Sequence, residues 1–193
     1  MTKTRLIPAF ALAGLLGACT AQTGTMASGA QMNTVMVGGQ TMYPNKDIVS
    51  NAVNSADNTT LVAAVKAAGL VSALQGPGPL TVFAPTNDAF KDLPPGTVQT
   101  LLMPANKPQL TAVLTYHVVP GRLDFTSLST LIAQGGGTAV LKTLNGATLT
   151  ASMNGPRNIV LTDAKGGVAH ISTYDVYQSN GVIQVIDKVL LPG

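Results

Sequence analysis

The last third of the chain carries the pattern that most restricts its fold. The runs TAVLKTL and ATLTASM alternate small or branched apolar residues with polar ones and are separated by Asn145-Gly146, a dipeptide suited to a tight hairpin. Three more runs rich in valine and isoleucine follow, NIVLT, GVAHIST and GVIQVIDKVLL, and Asn180-Gly181 marks a second tight turn before the last of them. Strands joined this closely pair antiparallel with their neighbours, which predicts a mostly antiparallel sheet.

The stretch before it reads differently. Asp47 is placed to cap IVSNAVNS, and Asn58 or Thr59 to cap LVAAVKAAGL, in which Leu61, Val65 and Ala68 share one helical face and Gly69 supplies the stop. After the breaker QGPGP comes a short strand, Leu80-Thr81-Val82-Phe83, then a helix through Phe90 that Pro94-Pro95-Gly96 ends. Thr97 is placed to cap VQTLLM. In QLTAVLTYHVVPG the residues Leu110, Val113, Leu114 and His117 fall on one stripe at helical spacing, closed by Pro120-Gly121. Helices mainly first and strands mainly second predict an α+β domain with a twisted, mostly antiparallel sheet covered by helices at one side. With 46% hydrophobic and 10% charged residues over 193 positions, the composition supports one substantial core, and no internal repeat divides it.

The first residues set the expected compartment. Lys3 and Arg5 precede an apolar run from Leu6 to Leu16 that closes on small residues, the order of a secretory signal peptide. Leu16-Gly17-Ala18-Cys19 resembles the lipobox of bacterial lipoproteins, so residues 1–18 are expected to be the signal peptide and Cys19 the lipidated first residue of the mature chain. Cys19 is also the single cysteine, which excludes an intramolecular disulfide. Residues 19–44, rich in Thr, Gln, Gly, Ser and Met, are expected to be a lipid-anchored flexible tether, and the folded domain to span 45–193. Met26, Met32, Met36 and Met42 form no compact chelate, so no metal is assigned to them. A threonine after the cysteine, rather than an aspartate, favours the outer membrane by analogy with Gram-negative lipoproteins, with the domain facing periplasm or cell surface.

Charge and motif content narrow the chemistry. Without Lys3 and Arg5, nine basic residues stand against eight acidic ones, all aspartates; the cations are scattered singly and no basic stripe carries aromatics, so nucleic acid is not an expected partner. Nucleophile-elbow, phosphate-loop and dinucleotide fingerprints are missing from the sequence, and no cofactor is assigned. His117 and His170 lie far apart and form no zinc spacing. On its apolar stripe His117 reads as a core residue bonded to backbone, and His170, alternating with Ala169 and Ile171, as solvent-facing or at an edge. In TVFAPTNDAF, Thr86 is placed to cap a helix whose first turn holds Asn87 and Asp88, where negative charge suits the helix dipole, and Pro85 holds Ala84 extended. That is a strand-to-helix junction rather than a catalytic turn.

Taken in order, four segments resemble the fasciclin domain over residues 45 to 192: DIVSNAVNSADNTTLVAAVKAAGLVSAL the helical opening, TVFAPTNDAFKDLP the first signature, LTYHVVPG the tyrosine–histidine segment, and SNGVIQVIDKVLLP the second signature. The resemblance implies the family's compact α+β module, a twisted, mostly antiparallel β-wedge flanked by helices, together with secretion or surface anchorage, and adhesion without a shared catalytic chemistry. It marks Thr86, Asn87, Asp88, Asn180, Gly181 and Asp187 as structural motif positions. It also marks Tyr116, His117, Tyr174, Asp175, Val176 and Tyr177 as candidate partner contacts, because animal adhesive members carry an Asp-Ile pair where this chain has Asp175-Val176. Gln184 stands where the second signature commonly has histidine, so a role resting on that imidazole is not expected. The implied function is a non-enzymatic envelope lipoprotein whose domain binds an extracellular or envelope macromolecule, protein or polysaccharide, in adhesion, biofilm or host contact. The alternative is a periplasmic binding protein for a small apolar ligand, which requires a sizeable apolar cavity.

Overall fold

The computed structural model describes residues 34–193, so the leader, Cys19 and the tether up to residue 33 lie outside the described residues. The described chain opens with a hairpin, β1 (Val35–Val37) and β2 (Gln40–Met42), turned at Gly38 and Gly39. The tether was expected to run to residue 44. Here its last part is folded instead: Val37 and Met42 are buried and join the helical core, because strand alternation points both residues inward. Met36 stays largely exposed.

The helical layer follows as α1 (Ile48–Ala52), a 3-10 turn (Ala56–Asn58), α2 (Thr59–Ala68), α3 (Val71–Leu74), α4 (Asn87–Lys91), α5 (Thr97–Leu102), a second 3-10 turn (Pro104–Asn106), α6 (Lys107–Tyr116) and α7 (Phe125–Gln134). Asp47 caps α1 as expected, accepting from Ser50 N at 2.9 Å, and Gly69 ends α2 in the left-handed conformation. Two caps differ from expectation. Thr97 is the first helical residue of α5 and Gly96 the cap, while neither Asn58 nor Thr59 caps α2 through its side chain. Asn87 does so from another helix, its Oδ1 accepting from Thr60 N at 3.0 Å while its Nδ2 donates to Ala56 O at 2.8 Å. Asn58 crosses back, donating to Pro85 O at 3.0 Å. These two asparagines fasten the helical opening to the strand–helix junction. Replacing Asn87 by alanine is expected to destabilise the domain by about 1–2 kcal/mol, the usual worth of a cap plus a second lost bond, read as a lower urea midpoint with an unchanged slope.

The sheet comprises β3 (Leu80–Pro85), β4 (Val118–Pro120), β5 (Thr138–Lys142), β6 (Thr148–Met153), β7 (Ile159–Thr162), β8 (Val168–Gln178) and β9 (Gly181–Ile186), in spatial order β4-β3-β9-β8-β7-β6-β5. Every pairing is antiparallel except β3 with β9. The hydrogen bond from Leu144 N to Val118 O, 2.8 Å, brings the chain after β5 back to β4, so the twisted sheet nearly closes. The fold is α+β, as the sequence predicted.

Burial follows the topology. β9 is buried at every position and β3 at all but its first, because both faces of this central pair are covered. Val82, Ala84, Ile183 and Val185 face the helical layer; Phe83 and Ile186 face a second core with Leu128, Leu149, Leu161 and Leu190. β5 shows strict alternation, with only Ala139 and Leu141 inward. Gly181 is required by packing: a Cβ there would run into the Leu80 carbonyl across the parallel pair. The turn is Ser179-Asn180 and Gly181 already pairs with Gln178, so Asn180-Gly181 straddles turn and strand. Asn180 is also a hub. Its Oδ1 accepts from Ile48 N (3.1 Å), and its Nδ2 donates to Leu74 O (2.8 Å) and Gly76 O (3.2 Å).

Candidate functional site

The exposed irregularity of the sheet lies in β8. Its pairing with β9 shifts register between Ile171 and Thr173 and again between Thr173 and Val176, and Asp175 adopts φ 58°, the left-handed region that aspartate tolerates better than most residues. The bulge splits the four residues singled out in sequence. Val176 turns inward and is 1% exposed, which removes it from any contact surface, whereas Tyr174, Asp175 and Tyr177 are half-buried.

The loop before α7 meets this bulge. Asp124 caps α7, its Oδ1 accepting from Ser127 N at 2.8 Å, and its Oδ2 accepts from the Tyr177 hydroxyl at 3.3 Å. Asp175 Oδ1 accepts from Phe125 N at 2.8 Å and from Gln184 Nε2 at 3.0 Å. Gln184, fully buried, also accepts from Asp175 N at 3.0 Å and donates to Leu123 O at 3.0 Å. The residue that departs from the family's histidine thus holds the bulge with a neutral amide, which serves as donor and acceptor together without titrating. Phe125 meets Tyr174 edge-on, ring centroids 5.3 Å apart, and the Tyr174 hydroxyl accepts from Ile159 N at 2.8 Å. The Ser127 amide holds the Asp124 carboxyl below its ordinary range. Burial, with the Asp175 and Asp124 charges added, pushes the Tyr177 phenol up. The result is a half-exposed patch of Phe125, Tyr174 and Tyr177, tied by these hydrogen bonds, beside two carboxylates.

Tyr116 and His117 do not belong to it. Tyr116 is fully buried, donating from its hydroxyl to Thr148 O (2.8 Å) and accepting from Ala164 N (3.1 Å). His117 is 2% exposed, with Nδ1 at 2.8 Å from Val113 O and Nε2 accepting from Leu190 N at 3.0 Å. Their candidacy as partner contacts is therefore corrected: both are internal ties, His117 because it lies on the apolar stripe of α6 and Tyr116 because its ring enters the second core and its hydroxyl is bonded at Thr148 and Ala164. His170 is half exposed, as expected, and faces Asp187, whose Oδ2 lies 3.1 Å from Nδ1 and whose Oδ1 accepts from His170 N at 2.7 Å. Thr86 caps α4 at 3.3 Å from Ala89 N, and Asp88 pairs with Lys91 on the surface. The sequence reading missed Asp124 and Phe125. The cap pattern Asp124-Phe125-Thr126-Ser127, an acceptor three residues before its amide partner, was the available signal.

Two spaces bear on ligand binding. An apolar cavity of about 50 Å³ lies under α1, α2 and β3, far below the roughly 300–1,000 Å³ of a small-molecule site. An open cleft of about 1060 Å³ runs between α5, α6, the Asn145-Gly146 loop and residues 191–193, with Lys165 the one charged side chain on its walls. Among the described residues, no three His, Cys, Asp or Glu side chains gather to hold a metal ion.

The model of the fasciclin domain matches residues 56–192. The chain belongs to the fasciclin-domain family. It is 48% identical over 145 residues to protein sll1483 of Synechocystis, covering 75% of this chain and 73% of that one. It is 39% identical over 132 residues to transforming growth factor-beta-induced protein ig-h3 of Sus scrofa, covering 68% of this chain but only 17% of the porcine protein. Among solved structures it resembles the fasciclin-domain pair of the insect cell adhesion molecule Fasciclin I, with a TM-score of 0.68 and 17% identity over 77% of this chain and 52% of that one. Fasciclin domains are thus known from cell-adhesion proteins, and the structural likeness establishes the shared fold. The bulge of β8 lies within the matched fasciclin segment.

Proposed function

We propose that this chain is an exported, lipid-anchored envelope protein whose fasciclin domain acts without catalysis, binding a protein or polysaccharide in adhesion, biofilm or host contact. The observation that carries the reading is the patch at the β8 bulge, where aromatic side chains stand half-exposed beside carboxylates on a backbone tied by hydrogen bonds to the buried Gln184. Preorganised aromatics of this kind contribute contact area at small entropic cost, and a tethered array of copies strengthens weak individual contacts. Family membership and the lipobox-like Leu16-Gly17-Ala18-Cys19 add support. The small apolar cavity weighs against the apolar-ligand alternative.

Protease treatment of intact cells, with a known periplasmic protein as leakage control, tests the orientation this function needs. The domain is expected to disappear while the control survives. Protection until the envelope is broken would overturn direct cell contact and favour a periplasmic role.

A further inference from the structure

Residues 187–193, which follow β9, carry no helix or strand, yet titratable groups tie them down in succession. Asp187 bonds both the backbone and the ring of His170. Leu190 N donates to His117 Nε2 at 3.0 Å, and Leu191 N donates to Asp163 Oδ2 at 2.9 Å. Lys188 reaches Asp92 in an exposed pair at 2.7 Å. Both histidines of the chain therefore serve this one strap.

The geometry at His117 fixes its proton. Nδ1 faces the Val113 carbonyl and must donate, so Nε2 must carry the lone pair that Leu190 N–H needs. A second proton would set N–H against N–H. From α6 the ring meets the Val113 carbonyl, from the strap the Leu190 amide, and from the turn between β7 and β8 the charge of Asp163. Asp163 is itself committed to Lys165 N, Gly167 N and Leu191 N. At the other end, Asp187 is tied to His170 by its own backbone N–H as well as by its carboxylate, so that contact remains as a hinge when the Leu190 contact fails. Leu191, Pro192 and Gly193 form one wall of the open cleft.

We propose that His117 is a proton-operated latch: protonating Nε2 expels the Leu190 amide and loosens residues 188–193, leaving them held by the Leu191 bond to Asp163 and the exposed Lys188–Asp92 pair, so that the cleft wall they form gives way more readily. The neutral ring and the burial of Leu190, 1% exposed, keep the strap shut at neutral pH. Burial holds the latched ring neutral down to about 4, against an ordinary 6.5 once it meets water. The open fraction then rises about tenfold at pH 5.5 and about seventyfold at pH 4.5, relative to pH 7.5.

Hydrogen exchange of the full chain, followed by mass spectrometry and corrected for intrinsic rates, reads this directly. Peptides covering 188–193 are expected to lose protection by those factors between pH 7.5 and 4.5 while β3 peptides do not, and H117Q, whose amide can accept the Leu190 N–H without titrating, is expected to flatten the dependence. A strap that tracks β3 across the range, or a release that persists in folded H117Q, would overturn the latch. Should H117Q not fold, ¹⁵N spectra of the wild-type imidazole decide: Leu190 amide and ring titrating together support it, and a ring that titrates without moving that amide refutes it.

Discussion

Acidification from pH 7 to pH 4 is expected to remove about 3 kcal/mol of folding stability through His117 alone. The ring is fully enclosed, and burial lowers its pKa from 6.5 to about 4. Below 6.5 the unfolded chain takes up a proton that the folded chain refuses, so the stabilisation is complete above that pH, declines as pH falls, and is gone once pH passes the folded value. Asp124, held low by the Ser127 amide, adds a loss in the same direction only below its ordinary 3.8. Urea unfolding at pH 7.5, 5.5 and 4 measures the sum, and H117Q isolates the histidine: the variant starts less stable at neutral pH and loses much less between 7.5 and 4. Parallel pH curves for the two proteins would refute the assignment. The experiment reads global stability, whereas exchange at the strap reads local opening, so the two can fail separately.

Phe83→Ala is expected to cost about 3–5 kcal/mol, the largest single-residue effect anticipated outside the glycines. Phe83 lies at the centre of β3, between β4 and β9, with no exposed surface and its ring in the second core. Both faces of β3 are covered, so the surrounding layers cannot collapse into the vacated space without disturbing the parallel pairing. Against a typical domain stability of about 5–15 kcal/mol the loss is a large share, and a fall of the urea midpoint by less than a fifth would count against this placement. The phenylalanine of the first signature is therefore a core residue. The conspicuous polar run after it closes a helix junction.

The partner surface proposed at the β8 patch and the latch proposed at His117 draw on different parts of the molecule. Gln184, the amide that ties the patch, does not titrate, whereas the latch depends on an imidazole that does.

Some of this was legible in the residues alone, because it is decided over a few positions. Asp47 and Thr86 cap the helices that follow them, Gly69 ends α2, Asn145-Gly146 turns the β5–β6 hairpin, and alternation placed Ala139 and Leu141 inward. The stripe through Leu110, Val113, Leu114 and His117 likewise pointed to a buried imidazole. Other features were set by contacts between distant residues. Local propensity has no term for Asn87 capping a helix that starts 28 positions earlier. It has none for a parallel pairing of β3 with β9, or for the Leu190 amide that chooses the His117 tautomer across 73 positions. It missed the folded hairpin at 35–42, whose residues look like tether until Val37 and Met42 find a core to enter. It also treated Tyr174, Asp175, Val176 and Tyr177 as one motif, when the bulge buries one and presents three. The sequence by itself determined where elements start, stop and alternate, because those choices rest on backbone geometry within one or two turns. Which polar groups meet, and which faces remain open to a partner, was decided only when the sheet closed and brought remote segments within hydrogen-bond distance.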